Sequence, residues 1–147
     1  MRLTLYTDYS LRVLLYLAYS KDKTVTISEL ADFYKISRNH LVKVVHELGL
    51  NGYILTSRGK HGGIRLARPA AEIGIGEVVR KTEPDLDLLE CFNKETDNCA
   101  ITKACNLKGV LFGAKNNFLA ELDKYTLADV TGAKTPPAFK SISVVHG

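Results

Sequence analysis

The segment from Ser28 to Pro69 leaves few folds open to this chain, because it sets two short helical stripes, a tight connection and a glycine-studded basic hairpin in direct succession. Ser28 opens a helix in which Leu30, Ala31 and Phe33 face inward, and Lys35-Ile36 makes a short link. Ser37 then caps a helix whose Leu41, Val44, Val45 and Leu48 recur at helical spacing, with Gly49 or Gly52 to end it. Tyr53-Ile54-Leu55-Thr56-Ser57 is rich in strand formers, Arg58–Gly63 must turn, and Ile64–Ala67 reads as the return strand. Two helices joined tightly and followed by a basic β-hairpin make a winged helix-turn-helix. The expected fold is mainly α with a small β-hairpin wing, followed by a long C-terminal helix.

If the stripe from Leu41 to Leu48 is buried, the opposite face of that helix carries Asn39, Lys43 and His46, with Ser37 and Arg38 at its N-terminal tip. A helix presented to a major groove makes many of its contacts from that tip. Asn and Arg bond base edges in pairs, while Lys chiefly meets phosphate. The hairpin adds Arg58, Lys60 and His61, with Arg65 on the return strand and Arg58 placed for a narrow minor groove. Charge distribution agrees. Residues 1–70 hold 11 Lys or Arg against 5 Asp or Glu, a net +6, whereas residues 71–147 hold 9 against 11, a net −2. A basic front half suits a polyanionic partner. The competing reading is an αα-hairpin and a β-hairpin whose basic surface is merely solvated, and His46 reads equally as a plain exposed residue.

Tyr9–Tyr19 forms an earlier helix, with Leu11, Leu14, Leu15 and Ala18 on one face and Thr7 or Asp8 to cap it. After the wing, Gly76–Lys81 is a short helix, residues 82–100 are polar and irregular, and a longer helix runs from about Ala104 to Tyr125. The expected organisation is a DNA-binding domain over 1–81, a loop carrying cysteines over 82–103, a helix over 104–130 and a flexible tail over 131–147. No apolar run is long enough to cross a bilayer. The start, Met1–Tyr6 leading directly into Asp8, has no apolar core of a signal peptide, as expected of a cytoplasmic protein.

The three cysteines, Cys91, Cys99 and Cys105, are an odd number confined to one short segment, which a disulfide framework would not leave. In a reducing compartment such a group points to metal or redox chemistry. There is no CxxC pair, and His40, His46, His61 and His146 all lie far away in sequence, so a four-ligand zinc site is poorly supplied. Three spaced thiolates can wrap an iron–sulfur cluster and leave one iron open. Zinc, a thiol–disulfide switch and inert cysteines remain alternatives at this point. No nucleophile motif, phosphate loop or paired acid and base marks an enzyme.

Several segments together carry a resemblance: Thr7-Asp8-Tyr9-Ser10-Leu11-Arg12-Val13-Leu14, Ile36-Ser37, Arg58-Gly59-Lys60-His61-Gly62-Gly63, Ile75-Gly76-Glu77-Val78 and the three cysteines. Over about residues 1–130 the chain resembles the NsrR family of nitric-oxide-sensing repressors, within the superfamily of IscR-like winged-helix regulators. The resemblance implies a homodimer in which the long C-terminal helices cross and each wing domain reads half of a palindromic DNA operator. It implies that Cys91, Cys99 and Cys105 hold an iron–sulfur cluster, [4Fe–4S] ahead of [2Fe–2S]. IscR-like members can carry a ligating His two residues after the third cysteine. Leu107 stands there and cannot ligate, which favours the NsrR branch. In that branch the fourth ligand corresponds to Asp8 of the partner subunit. By residue type alone Asp8 reads as a helix cap. The implied function is repression relieved when nitric oxide attacks the cluster. A cluster sensing oxygen, redox state or iron supply, and a thiol-redox or zinc-stabilised repressor, are the alternatives.

Overall fold

The computed structural model describes residues 2–21, 23–132 and 134–140. Helix α1 (Leu5–Tyr19) is followed by α2 (Ile27–Tyr34), α3 (Arg38–Leu50), strands β1 (Ile54–Ser57) and β2 (Gly63–Leu66), and α4 (Ile75–Thr82). A long irregular segment with two single 3-10 turns leads to α5 (Asn106–Leu122), then α6 (Leu127–Gly132) and α7 (Pro137–Lys140). The winged helix-turn-helix expected from the sequence is present.

Local chemistry sets the boundaries. Thr26 caps α2 and forms a reciprocal box with Glu29: the Glu29 amide donates to Thr26 Oγ1 at 3.2 Å, and Glu29 Oε2 accepts from the Thr26 amide at 2.6 Å. The helix therefore starts just before Ser28. Lys35 ends it in the left-handed conformation, at φ 56°, which gives the sharp turn into α3. Ser37 Oγ accepts from the His40 amide at 3.3 Å, the expected cap. Helix α1 starts earlier than expected. Thr4 is its cap, Thr7 is fully buried, and Asp8 lies inside the helix.

β1 and β2 pair antiparallel, with Ile54 opposite Leu66 and Ser57 opposite Gly63. The α1–α2 connection adds a rung on the other side of β2: the Val25 amide donates to Ile64 O at 2.9 Å and the Ile64 amide to Val25 O at 2.7 Å. The wing is thus pinned at its base to the helical unit. Leu14, Leu30, Leu41, Leu48, Ile64 and Ile73 are essentially fully buried in a single core. Each such side chain contributes about 1.5–3 kcal/mol on burial.

The helix expected over 104–130 divides. α5 ends at Leu122, a turn follows, and Leu127 of α6 is buried in the core of the winged helix-turn-helix unit, with its amide donating to Ile73 O at 2.7 Å. The apolar periodicity of 104–125 does not reveal this return, because the contacts that stop α5 come from residues about fifty positions earlier. Arg80 Nη1 and Nη2 bind Asp123 Oδ1 and Oδ2 at 2.5 and 2.7 Å. Part of the segment expected as a tail is helical. α7 places Phe139 against Tyr19, Phe33 and Tyr16, at centroid distances of 4.3, 4.8 and 5.8 Å. Residues 141–147 lie outside the described residues.

Candidate nucleic-acid interface and cysteine lobe

Helix α3 buries Leu41, Val44, Val45 and Leu48 and leaves Arg38, Asn39, Lys43 and His46 exposed on the opposite side. Ser37, at the tip, spends its oxygen on the cap and keeps its hydroxyl proton for an outside acceptor. The spacing 39, 43, 46 keeps these side chains on one face. Val42 also lies out in solvent, 49% exposed, in the middle of this polar face. Charged and polar residues drew the sequence reading, which passed over Val42. An exposed apolar side chain on such a face suits the methyl group of thymine.

The wing projects Arg58, Lys60 and His61, all exposed, from its tip, and Arg65 from the outer face of β2. Gly62 is required there, because a Cβ at this position would sit 2.6 Å from Ser57 O. Among the described residues, no ion pair involves Arg38, Lys43, Arg58, Lys60 or Arg65. Among those residues no carboxylate lies close enough to pair with these cations. The base of the wing is held to α4 by Glu77, whose Oε1 accepts from Tyr53 Oη at 2.9 Å and from Arg68 Nη2 at 2.6 Å. Burial pushes the Glu77 carboxyl up, but the bonds from Arg68 and Tyr53 outweigh it and leave the group below its usual range.

All three cysteines fall in the lobe formed by the segment between α4 and α5. Cys91 is buried in the 3-10 turn Glu90–Phe92, Cys99 is exposed, and Cys105 is half-buried at the start of α5. All three are free thiols. The lobe is braced by short-range bonds: Asp97 Oδ1 accepts from the Cys99 amide at 3.1 Å and from Thr102 Oγ1 at 2.8 Å. Phe92 packs edge-on to Phe112 of α5 at 5.8 Å, and the Lys115 ammonium lies over both rings at about 5 Å.

Among the described residues no three His, Cys, Asp or Glu side chains converge on a point that would hold a single metal ion. A multi-iron cluster spreads its protein ligands over more than one iron and does not ask all the sulfurs to meet at one point. The donor set fits such a group: three unbridged thiols in one lobe, at the N-terminus of a helix that has no side-chain cap. Uncapped first-turn amides favour negative charge.

Asp8 is in the first turn of α1 and does not cap it. It is held by Arg12, one turn on, with Nε 3.0 Å from Oδ1 and Nη2 2.8 Å from Oδ2. The guanidinium lies 5.8 Å from the centroid of the Tyr34 ring, and Tyr34 Oη donates to Arg12 O at 3.0 Å. Burial pushes the Tyr34 phenol far up, so it remains a proton donor.

Residues 3–133 match the Rrf2 family model, described as iron-dependent transcriptional regulators. This chain belongs to the Rrf2 family. Within it, the chain is 55% identical over 131 residues to the helix-turn-helix-type transcriptional regulator NsrR of Shouchella clausii, an alignment spanning 88% of each. It is 50% identical over 135 residues to NsrR of Bacillus subtilis, covering 91% of this chain and 92% of that protein. The NsrR resemblance read from the sequence is confirmed. Rrf2 membership makes the chain a transcriptional regulator. Among solved structures it is similar to CymR, the global cysteine regulator of B. subtilis, with a TM-score of 0.72 at 19% identity over 91% of this chain and 98% of that one. It is also similar to T. potens IscR, with a TM-score of 0.68 at 24% identity over 88% and 85%. These likenesses establish the Rrf2 winged-helix architecture.

Proposed function

We propose that this Rrf2 protein is a cytoplasmic repressor that binds a palindromic operator as a homodimer, carries an iron–sulfur cluster and leaves DNA in response to nitric oxide. The observation that carries the reading is the set of three unbridged thiols, Cys91, Cys99 and Cys105, in one lobe of a chain half identical to NsrR proteins. Ser37, Arg38, Asn39, Lys43 and His46 would read the major groove, and Arg58, Lys60 and His61 would hold the flanking backbone and minor groove.

The thiolates of Cys91, Cys99 and Cys105 would hold the cluster, with Asp8 of the partner subunit as the fourth ligand. Such a cluster, most simply [4Fe–4S], supplies irons that bind nitric oxide, and a carboxylate is the weakest partner in this set. Arg12 offers Asp8 an alternative partner in its own helix, so the carboxylate has somewhere to go on release. A carboxylate that held the cluster across the dimer would couple the lobe to the spacing of the two reading helices. The dimer is supported by α5, where Leu107 and Val110, one turn apart, are 59% and 67% exposed. Apolar exposure of this extent on one helix suits a second copy of the same helix. A cluster tuned to oxygen, redox state or iron supply is the second reading, favoured by the family's iron-dependent description.

The test is anaerobic purification, an absorbance spectrum and iron and sulfide counts, followed by stepwise addition of nitric oxide to the protein on a palindromic duplex selected for binding. Roughly four irons per chain, or roughly two for [2Fe–2S], with bleaching and DNA release by nitric oxide, is the expected result. Release by oxygen or iron chelation but not by nitric oxide would transfer the reading to the second one. A colourless protein containing zinc or no metal would overturn both, as would a Cys99→Ala protein that still represses and still responds.

A further inference from the structure

Glu83 joins two parts of the chain that are 79 residues apart. Its Oε1 accepts from the Thr4 amide at 2.8 Å and from the Thr4 hydroxyl at 3.1 Å. Thr4 is the cap of α1, and its Oγ1 accepts from the Thr7 amide at 3.2 Å. The carboxylate thus holds the first turn of α1 through Thr4, just ahead of Asp8. On its other side, the Glu83 amide makes the last bond of α4, to Val79 O at 2.9 Å, and Pro84 follows. Proline has no amide to donate, so the helical bonding of α4 ends at Glu83, ahead of the cysteine lobe.

The junction reaches the DNA-reading helix. A cavity of about 400 Å³ lies here, lined by Thr4 and Tyr6 of α1, Glu47 of α3, and Lys81, Glu83 and Pro84. Burial, with the Glu47 charge behind it, pushes the Tyr6 phenol up. α4 itself is fixed at the wing through Glu77, Tyr53 and Arg68. A pull on the lobe therefore finds α4 tethered at Glu77, and the part free to give way is the contact between Glu83 and Thr4.

We infer that Glu83 is a positioning residue that couples the arrangement of the cysteine lobe to the first turn of α1 and, through it, to α3. With Glu83 on Thr4, the α1 N-terminus is fixed against the recognition helix. When the lobe rearranges, the carboxylate leaves Thr4 and that turn loosens. This deepens the sensing function proposed above and rests on it.

Three variants test the assignment: Glu83→Ala, Glu83→Asp, which keeps the charge but is one methylene short, and Glu83→Gln, which keeps the accepting oxygen. In metal-free protein, amide hydrogen exchange in the first turn of α1 should quicken about 10-fold in E83A and E83D and change little in E83Q, since an accepting oxygen within reach of Thr4 is lost only in the first two. The second readout is the ratio of affinities of cluster-loaded and metal-free protein for the selected duplex. That ratio should shrink about 10-fold in E83A and E83D at unchanged iron and sulfide content, and persist in E83Q. A wild-type ratio that E83A and E83D both retain would overturn the coupling role alone. Unchanged first-turn exchange in both would overturn it as well. A wild-type protein with no difference between loaded and metal-free affinity would overturn the sensing reading, and this inference with it.

Discussion

Asp8 and Arg12 meet as a two-point ion pair one helical turn apart, with Nε on Oδ1 at 3.0 Å and Nη2 on Oδ2 at 2.8 Å. Both side chains remain about two-fifths exposed, so water screens the pair and its contribution to folding is small. Exposed i,i+4 pairs contribute about 0.3–0.5 kcal/mol. Asp8→Ala should leave urea unfolding of the metal-free protein within about 0.5 kcal/mol of wild type while altering the nitric oxide response. A loss above about 2 kcal/mol would make Asp8 a structural residue of α1.

On the proposed DNA face, base-reading and phosphate-holding roles would separate by salt dependence. Asn39→Ala should cost about 1–3 kcal/mol of operator affinity and relax preference at one base position. Lys60→Ala should weaken all sequences alike and lower the slope of log affinity against log salt by about 1. Fluorescence anisotropy over a salt series distinguishes the two. Equal effects of Asn39→Ala on specific and random duplexes would move Asn39 to the phosphate group.

Gly76 makes room for the Arg80–Asp123 pair, because a Cβ there would lie 2.0 Å from Asp123 Oδ1. Gly76→Ala should expel the carboxylate, separate α4 from the end of α5 and destabilise by about 1–3 kcal/mol in thermal unfolding. An unchanged midpoint would show that the helix ends are held by backbone bonds alone, such as that from the Ile75 amide to Tyr125 O at 2.9 Å.

The same pair gives a pH dependence. The bond from Arg80 holds the Asp123 carboxyl below its ordinary value, and Glu77 is also lowered. A carboxylate depressed by folding stabilises the native state above its unfolded value and loses that contribution as pH falls through the folded one. Stability should therefore be level near neutrality and decline below about pH 4. In Asp123→Asn the decline should be shallower. An identical acid limb in that variant would remove Asp123 from the account.

Phe139 lies beyond the stretch shared with the family, which ends at residue 133, yet it stacks on Tyr19 at 4.3 Å with an interplanar angle of 28°. Phe139→Ala removes this contact and those to Phe33 and Tyr16, and should cost about 0.5–1.5 kcal/mol beyond the area lost. The near-ultraviolet circular dichroism of the tyrosines should change with it. If neither signal moves, α7 adds nothing to the helix-turn-helix unit.

The DNA-reading unit was legible because its signals are local. Ser37, the stripe from Leu41 to Leu48 and the turn at Gly62 each act within a few residues, and the structure places them as read. The cysteines were legible as a group by spacing and residue type. Thr4 was not legible as the α1 cap, since Thr7 and Asp8 are equally good capping residues. What selects Thr4 is Glu83, far along the chain. The short helix within the expected tail was hidden for the same reason, because an isolated Phe139 carries no sign of the ring it will meet.

The sequence by itself determined which segments become helix and hairpin, which face of α3 stays polar, and which side chains can ligate a metal. Helical periodicity, caps and turn residues operate over one or two turns, and thiol chemistry belongs to the residue. Tertiary structure alone decided where α5 stops, what holds Asp8, and how the cysteine lobe is tied to α1. Those outcomes depend on pairs such as Arg80 with Asp123 and Glu83 with Thr4, whose members meet only after the core has closed and brought distant segments within hydrogen-bonding reach.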